Sequence, residues 1–343
     1  MKLSDDARKK YKSMCQRFAK GYRVESVHEE FSVDPSIEQN LKDKIVEQST
    51  FLPKINYITV TELQGENILG SASQPLASRT DTSQKGKERE PIQVLGLEPG
   101  QYHLHQTNFD VALRYATVDS WAKFRDLPER YAGYVQRRIA NDKEIIGWNG
   151  LRADKDTDFS ANPLLQDVNR GWMQYMRQYK PANILGEGKT AGELRIGAGG
   201  DYKSLDLLVL DLYHAIPPYM RQNLVALVGE DFIRYEKTAL LSAVTQTPTE
   251  KALYDLAMKL QGGLSWETPS NFPTRGVVVT SLDNLSIYMQ SGSWRRQLVD
   301  NPKRDQFEDY NSVNEGYVVE EKEKFVAVEF DNIKIADGEG GWA

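Results

Sequence analysis

The 343 residues are 40% hydrophobic and 27% charged, with a net charge of −6, enough for two packed units of the usual ~100–150 residues plus extensions. No run approaches the ~20 apolar residues of a membrane span, and the opening MKLSDDARKKYK has no apolar core of a secretory signal. A single cysteine, Cys15, excludes an intrachain disulfide and a thiolate metal cluster, and this usage fits a reducing cytoplasm.

Charge is unevenly placed. Residues 1–23 hold eight Lys/Arg against Asp5 and Asp6, a net +6, which leaves −12 on the remainder. A basic head on an acidic body predicts a separate task for the head. An acidic body does not predict a surface that grips nucleic acid.

Ser4 as N-cap, with Asp5 and Asp6 in the first turn, predicts a helix over 4–22. Leu3, Ala7, Tyr11, Met14, Phe18 and Tyr22 recur at steps of three and four and form one stripe. Lys and Arg fill the other face. The two tyrosines favour a protein-docking face over a membrane-surface helix. A polar link over 24–35 leads to Pro35 and Ser36, which open a second helix to about Gln48, with Ile37, Leu41, Ile45 and Val46 inward.

Residues 55–72 and 101–117 read as paired strands, the second alternating at Phe109, Val111, Leu113 and Tyr115. The stretch between, 73–100, has too few apolar residues to order itself alone. A long two-stranded arm with a polar tip is marginal in water unless it lies on a neighbour. This is the first pointer to assembly.

A helix is predicted over 119–148, with Asp119 as N-cap and Trp121, Phe124, Tyr131, Val135, Ile139 and Ile146 inward. It would span ~45 Å if continuous, but Pro128 should kink or divide it. Another helix is predicted over 162–179, with Leu164, Leu165, Val168, Trp172 and Met176 inside. After a loop-rich 181–201, Ser204 caps LDLLVLDLYHAI, which Pro217 and Pro218 terminate. A strand at 224–228, a helix over 231–244 and another near 250–260 make a small α/β unit. Strands follow within 276–289, near 315–321 and over 325–335. The glycine-rich end DGEGGWA reads as mobile, and no internal repeat is present.

The chemical motifs are weak. Gly186-Glu187-Gly188-Lys189-Thr190 ends like a phosphate-binding loop, yet Asn183 stands where the first glycine belongs and no buried strand leads in, so a surface loop is the better reading. Gly197-Ala198-Gly199-Gly200 precedes a helix without dinucleotide-loop spacing. His103 and His105 share a strand face as two metal ligands do, with no third ligand nearby. Arg295, Arg296, Lys303 and Arg304 form a basic cluster interleaved with Asp300, Asp305, Glu308 and Asp309. A salt-linked contact between subunits fits that mixture better than a nucleic-acid groove. No catalytic residue, metal site or cofactor is assigned. The rivals are a nucleotide hydrolase using Lys189 and Thr190, and a nucleic-acid adaptor using residues 8–23.

A resemblance runs through Phe31-Ser32-Val33-Asp34-Pro35-Ser36-Ile37, Phe51-Leu52-Pro53-Lys54-Ile55-Asn56, Asn108-Phe109-Asp110 and Arg114-Tyr115. It continues at Asn162-Pro163-Leu164-Leu165-Gln166-Asp167-Val168 and Gly199-Gly200-Asp201-Tyr202-Lys203-Ser204-Leu205-Asp206. Its densest block runs from Leu282-Asp283-Asn284-Leu285-Ser286-Ile287-Tyr288 through Arg295-Arg296, Asn301-Pro302-Lys303 and Glu308-Asp309-Tyr310 to Tyr317-Val318-Val319-Glu320. In order and spacing, over about 300 residues, these segments resemble the major capsid proteins of peduovirus-type contractile-tailed phages. Residues 65–100, 183–196 and 245–270 fit weakly, and no Lys–Asn crosslink motif is found.

The resemblance implies an α+β HK97-like capsid fold. Its parts would be a propeptide (1–31), an N-terminal arm (32–55), an extended β-hairpin loop (56–117) and a peripheral domain with a long spine helix (118–199). An axial α/β domain (200–275), a return to the peripheral domain (276–335) and a tail (336–343) would follow. It implies a structural subunit, not an enzyme, that associates with itself as pentamers and hexamers around double-stranded DNA. An internal scaffolding protein, a maturation protease and a portal would be partners, with no membrane and no cofactor. It also implies proteolytic removal of the N-terminal segment at the bond between Phe31 and Ser32. Residues 1–31 hold eight basic against five acidic residues, so the cut would shift the chain from −6 to −9. Tyr11, Met14, Phe18 and Tyr22 would dock the scaffold beforehand.

Overall fold

The computed structural model describes residues 5–72, 79, 95–121, 127–243, 260–336 and 341–342. Expectations about Ser4, Phe124, most of the 73–94 tip and the helix near 250–260 lie outside the described residues.

The chain opens with α1 (Asp5–Tyr22), a two-residue β1 (Phe31–Ser32) and α2 (Pro35–Val46). Asp34 caps α2 by accepting from the Ser36 amide at 2.9 Å, and Pro35 sits at the first helical position, where its missing N–H has no helical partner. Strands β2 (Asn56–Val60), β3 (Gln64–Ala72), β4 (Leu95–His103), β5 (His105–Asn108) and β6 (Val111–Arg114) follow. The expected pairing of 55–72 with 101–117 is corrected here. Only β3 and β4 pair with each other, from Gln64↔His103 to Ala72↔Leu95. The arm's base is tied where the Leu104 amide donates to the Leu63 carbonyl at 2.9 Å, and Leu104 itself is buried. Pro99 is tolerated in β4 because a two-stranded ribbon has a free edge on each strand.

Helix α3 (Tyr115–Trp121) precedes α4 (Leu127–Asn149). Residues 122–126 lie outside the described ones, Pro128 is the second residue of α4, and Asp119 lies inside α3 instead of capping a helix. The 23 residues of α4 span about 35 Å. The helix expected over 162–179 shrinks to α5 (Trp172–Tyr179). Asn162 precedes a proline, which disfavours helical backbone, and Leu165 adopts φ +57°. The buried Asp167 carboxylate accepts from the Asp158 amide at 2.7 Å and the Asn162 side chain at 3.0 Å, fixing a turn instead.

Beyond it lie β7 (Ile184–Leu185), β8 (Leu194–Ile196), α6 (Leu205–Ala215), β9 (Val225–Val228) and α7 (Glu230–Ala243). Ser204 caps α6 as expected, its hydroxyl accepting from the Leu207 amide. The last strands are β10 (Leu260–Gln261), β11 (Leu264–Glu267), β12 (Val277–Thr280), β13 (Leu285–Gln290), β14 (Arg295–Asn301), β15 (Gln306–Val319), β16 (Val326–Val328) and β17 (Ile333–Ile335). The end is not wholly loose: Trp342 bridges to Ala336, and the Arg195 guanidinium lies 5.6 Å from its ring.

One seven-stranded sheet runs β1-β14-β15-β13-β2, with β5 and β6 also pairing the long β15. A six-stranded sheet runs β10-β11-β9-β12-β16-β7. This second sheet separates two hydrophobic cores. Cross-strand neighbours Leu227, Val278 and Ala327 face a core shared with α1, α2, α4, α5 and the larger sheet. The alternate residues Ala226, Val228, Val277, Val279, Val326 and Val328 face a core closed by α6 and α7. Period-2 alternation on a sheet buried on both faces thus builds two cores from one run of valines.

Candidate assembly interface

The N-terminal segment is seated on the body of its own chain. Tyr11, Met14 and Cys15 are buried, and Phe18 and Tyr22 pack against the same core. The Tyr11 ring stacks on Phe307 with centroids 3.6 Å apart. The stripe expected to dock a scaffold is therefore occupied intramolecularly, because β15 offers it an aromatic partner. Residues 27–33 then run along the edge of β14. The Leu298 amide donates to the Val27 carbonyl, Phe31 and Ser32 pair with Arg296 and Arg295, and the Val33 amide donates to the Trp294 carbonyl. The Phe31–Ser32 bond thus lies in the outermost strand of the sheet, with Ser32 exposed.

The expected basic cluster does not form one patch. Arg296 is 6% exposed and holds Asp309 with two hydrogen bonds, at 2.9 and 2.6 Å. Its guanidinium also lies 4.8 Å from the Phe18 ring and 5.3 Å from the Tyr22 ring. Asp309 accepts a further bond from Tyr131 of α4 at 2.8 Å. This correction follows from desolvation: a buried guanidinium keeps its charge only when a carboxylate and aromatic faces replace water. Arg295 reaches Glu30 at 3.5 Å and Arg304 reaches Glu308 at 4.0 Å. Lys303 and Arg304 follow the far end of β14, about 20 Å of strand from Arg295.

Sequence reasoning missed a buried ion pair between Lys143 of α4 and Glu315 of β15. Glu315 also accepts from Asn169 through its backbone carbonyl at 2.9 Å. The signal was present, since Lys143 stands on the inward stripe of Ile139 and Ile146.

The weak motifs resolve structurally. The Lys189 and Arg195 amides donate to the Asp201 carboxylate at 2.8 and 2.9 Å, and that carboxylate fills the space beside Gly188. A side chain of this protein therefore occupies the position a phosphate would need, and these amides hold Asp201 below the usual carboxylate range. His103 and His105 share a ring-to-ring hydrogen bond at 3.0 Å. Burial first, then His103 and Arg170, push His105 down to about 4. Among the described residues no group of three His, Cys, Asp or Glu is placed to hold a metal, and no helix is long and apolar enough to cross a membrane.

The chain as a whole has relatives among known proteins. The family model "Phage major capsid protein, P2 family" matches residues 10–333. The chain belongs to the P2 family of phage major capsid proteins. It is 35% identical to the "Capsid proteins" of Escherichia phage P2, across 98% of this chain and 96% of that one. It is 27% identical to the "Major capsid protein" of Serratia phage KSP20, across 92% of each. Among solved structures, a chain of the satellite phage P4 procapsid that includes the size determination protein Sid matches with TM-score 0.77 and 34% identity, covering 98% and 99% of the two chains. The capsid of an empty GTA particle matches at TM-score 0.52 and 13% identity, over 82% and 90% of the chains, which is likeness of fold.

This capsid protein therefore has the HK97-like fold and is a structural subunit of an icosahedral phage shell, not an enzyme.

Proposed function

We propose that copies of this capsid protein associate as pentamers and hexamers, closing a shell around double-stranded DNA in the host cytoplasm. An internal scaffolding protein, a maturation protease and a portal take part. The β3–β4 arm carries this reading. It forms a two-stranded sheet of its own, and such a ribbon is marginal unless it lies on another surface. A sister copy supplies that surface at every lattice position, so weak single contacts add up around a closed symmetric assembly. Exposed Arg295, Lys303 and Arg304 add charged contacts between copies.

The protease cuts between Phe31 and Ser32. An edge strand is the form in which a protease groove takes an extended peptide by adding a strand. Loss of residues 1–31 takes the chain from −6 to −9, and an acidic lining lets DNA enter without adhering. Negative-stain microscopy of the chain expressed with and without its scaffold should reveal closed particles when the scaffold is present. Mass spectrometry of purified virions should find a shell protein starting at Ser32. An intact residue 1 in virions would overturn the processing step.

A further inference from the structure

We propose that the loop between α4 and α5 joins neighbouring shell subunits: Phe159 of one copy enters the apolar groove beside Phe272 and Phe330 of the next. The proposal names one contact within the shell, and so rests on the association of this chain with itself.

The loop holds that ring in water on a fixed backbone. The Asp154 and Asp158 amides donate to the Asp167 carbonyl and carboxylate at 2.9 and 2.7 Å. The Asp158 carboxylate in turn accepts from the Ser160 amide at 2.9 Å. Phe159 sits between these anchored residues, yet it is 64% exposed. Leu151 and Leu164, toward the two ends of the loop, are exposed as well. Three large apolar side chains on one loop make a patch and not a scatter of single residues. A loop already ordered in the free chain loses little freedom when it docks.

The groove encloses about 530 Å³, is bordered by Leu151 and Leu164, and has Phe272 and Phe330 in its floor. The two floor rings meet edge-on with centroids 5.7 Å apart. A third ring fits there with the tilted geometry that aromatic pairs favour. Phe159 does not line the groove of its own chain. A projecting ring and an aromatic-floored groove that the same chain leaves to another make a head-to-tail contact, which closes rings when it repeats around an axis. Ring and groove share one loop, as a contact close to such an axis requires.

Charge favours the same pairing. Residues 154–159, DKDTDF, hold three Asp against one Lys. The groove is rimmed by Arg177, Arg275 and Lys334 against Asp331 alone. An acidic tip facing a basic rim sets the register of the contact and disfavours other approaches. Arg177 is held by Glu329 and Arg275 by Asp231, which leaves Lys334 for Asp156 of the adjacent copy.

The test places a photo-crosslinking benzoylphenylalanine at position 159 of the full-length chain, co-expressed with its scaffolding protein. Irradiated particles should yield a covalent dimer whose adduct maps to residues 272–275 or 330–334, while the irradiated unassembled chain stays monomeric. Independently, Asp156→Lys should lower the yield of closed particles at least about fivefold, because a small loss per contact multiplies around the lattice. The swap Asp156→Lys/Lys334→Asp should restore that yield, with the melting temperature of each unassembled variant within a few degrees of the parent. A dimer adduct elsewhere, an adduct with the scaffold, or a swap that restores nothing would overturn the contact and leave the shell reading standing. Absence of closed particles from the unmodified chain would overturn the shell reading, and the contact with it.

Discussion

Lys143 and Glu315 meet with side chains 3% and 0% exposed, joining the longest described helix to the longest strand. Removing one partner strands the other charge away from water. Lys143→Met should therefore destabilise the unassembled chain by ~3–5 kcal/mol, and Lys143→Met/Glu315→Leu should recover most of that loss. Denaturant unfolding of both variants checks this, and equal losses would contradict it. His105 makes a pH-dependent contribution at the base of the arm. Its folded value of about 4 lies below the ordinary 6.5, so the folded state resists the proton that the unfolded chain accepts. Its stability is present above pH 6.5 and is lost as pH falls toward 4. Amides of β3 and β4 should lose hydrogen-exchange protection between pH 7 and 5, after correction for intrinsic rates, and His105→Gln should flatten that change. An unchanged pH response in the variant would assign the effect elsewhere.

At the scale of elements, α4 and α5 cross where no side chain fits. A Cβ on Gly171 would come within 2.3 Å of the Gly147 carbonyl oxygen, and one on Gly147 within 2.3 Å of the Trp172 ring. Gly171→Ala should cost at least ~1–3 kcal/mol through overpacking against backbone that cannot step aside. Pro128→Ala, at a helix start where proline lacks nothing the helix needs, should change stability by at most ~0.5 kcal/mol. Thermal melts of the two variants separate these cases. Elements with local signals were legible in the sequence: the helix start at Pro35, the cap at Ser204 and the valine runs. The β14–β15 hairpin was read only in its last residues. Its buried positions include Arg296, Glu308, Asp309 and Glu315, charged residues answered by partners within the hairpin or on α4, so hydrophobic alternation fails there. The helix expected over 162–179 forms only from Trp172, because the Asp167 carboxylate accepts from the Asp158 amide nine residues earlier and that turn overrides the periodicity.

For the whole molecule, fold and family were legible from the order of motifs over most of the chain, but the assembly surfaces were not. The α1 stripe advertised a docking face that the chain itself covers, and the basic cluster was a sequence neighbourhood split by a strand. Both errors come from reading exposure off one element when exposure depends on what folds over it. The arm is different, since β3 and β4 pair only with each other, outside the two larger sheets. Replacing residues 64–103 with a short glycine linker should therefore leave a folded, cooperative monomer that no longer closes shells, as followed by thermal melting and sedimentation velocity.

Cryo-electron microscopy of scaffold-assembled particles at side-chain resolution tests most directly whether this protein completes its structure with its neighbours. The expected map has β3 and β4 of each subunit resting on an adjacent subunit within closed shells. Density with the arm folded back on its own subunit, or particles that never close, would contradict the intersubunit role.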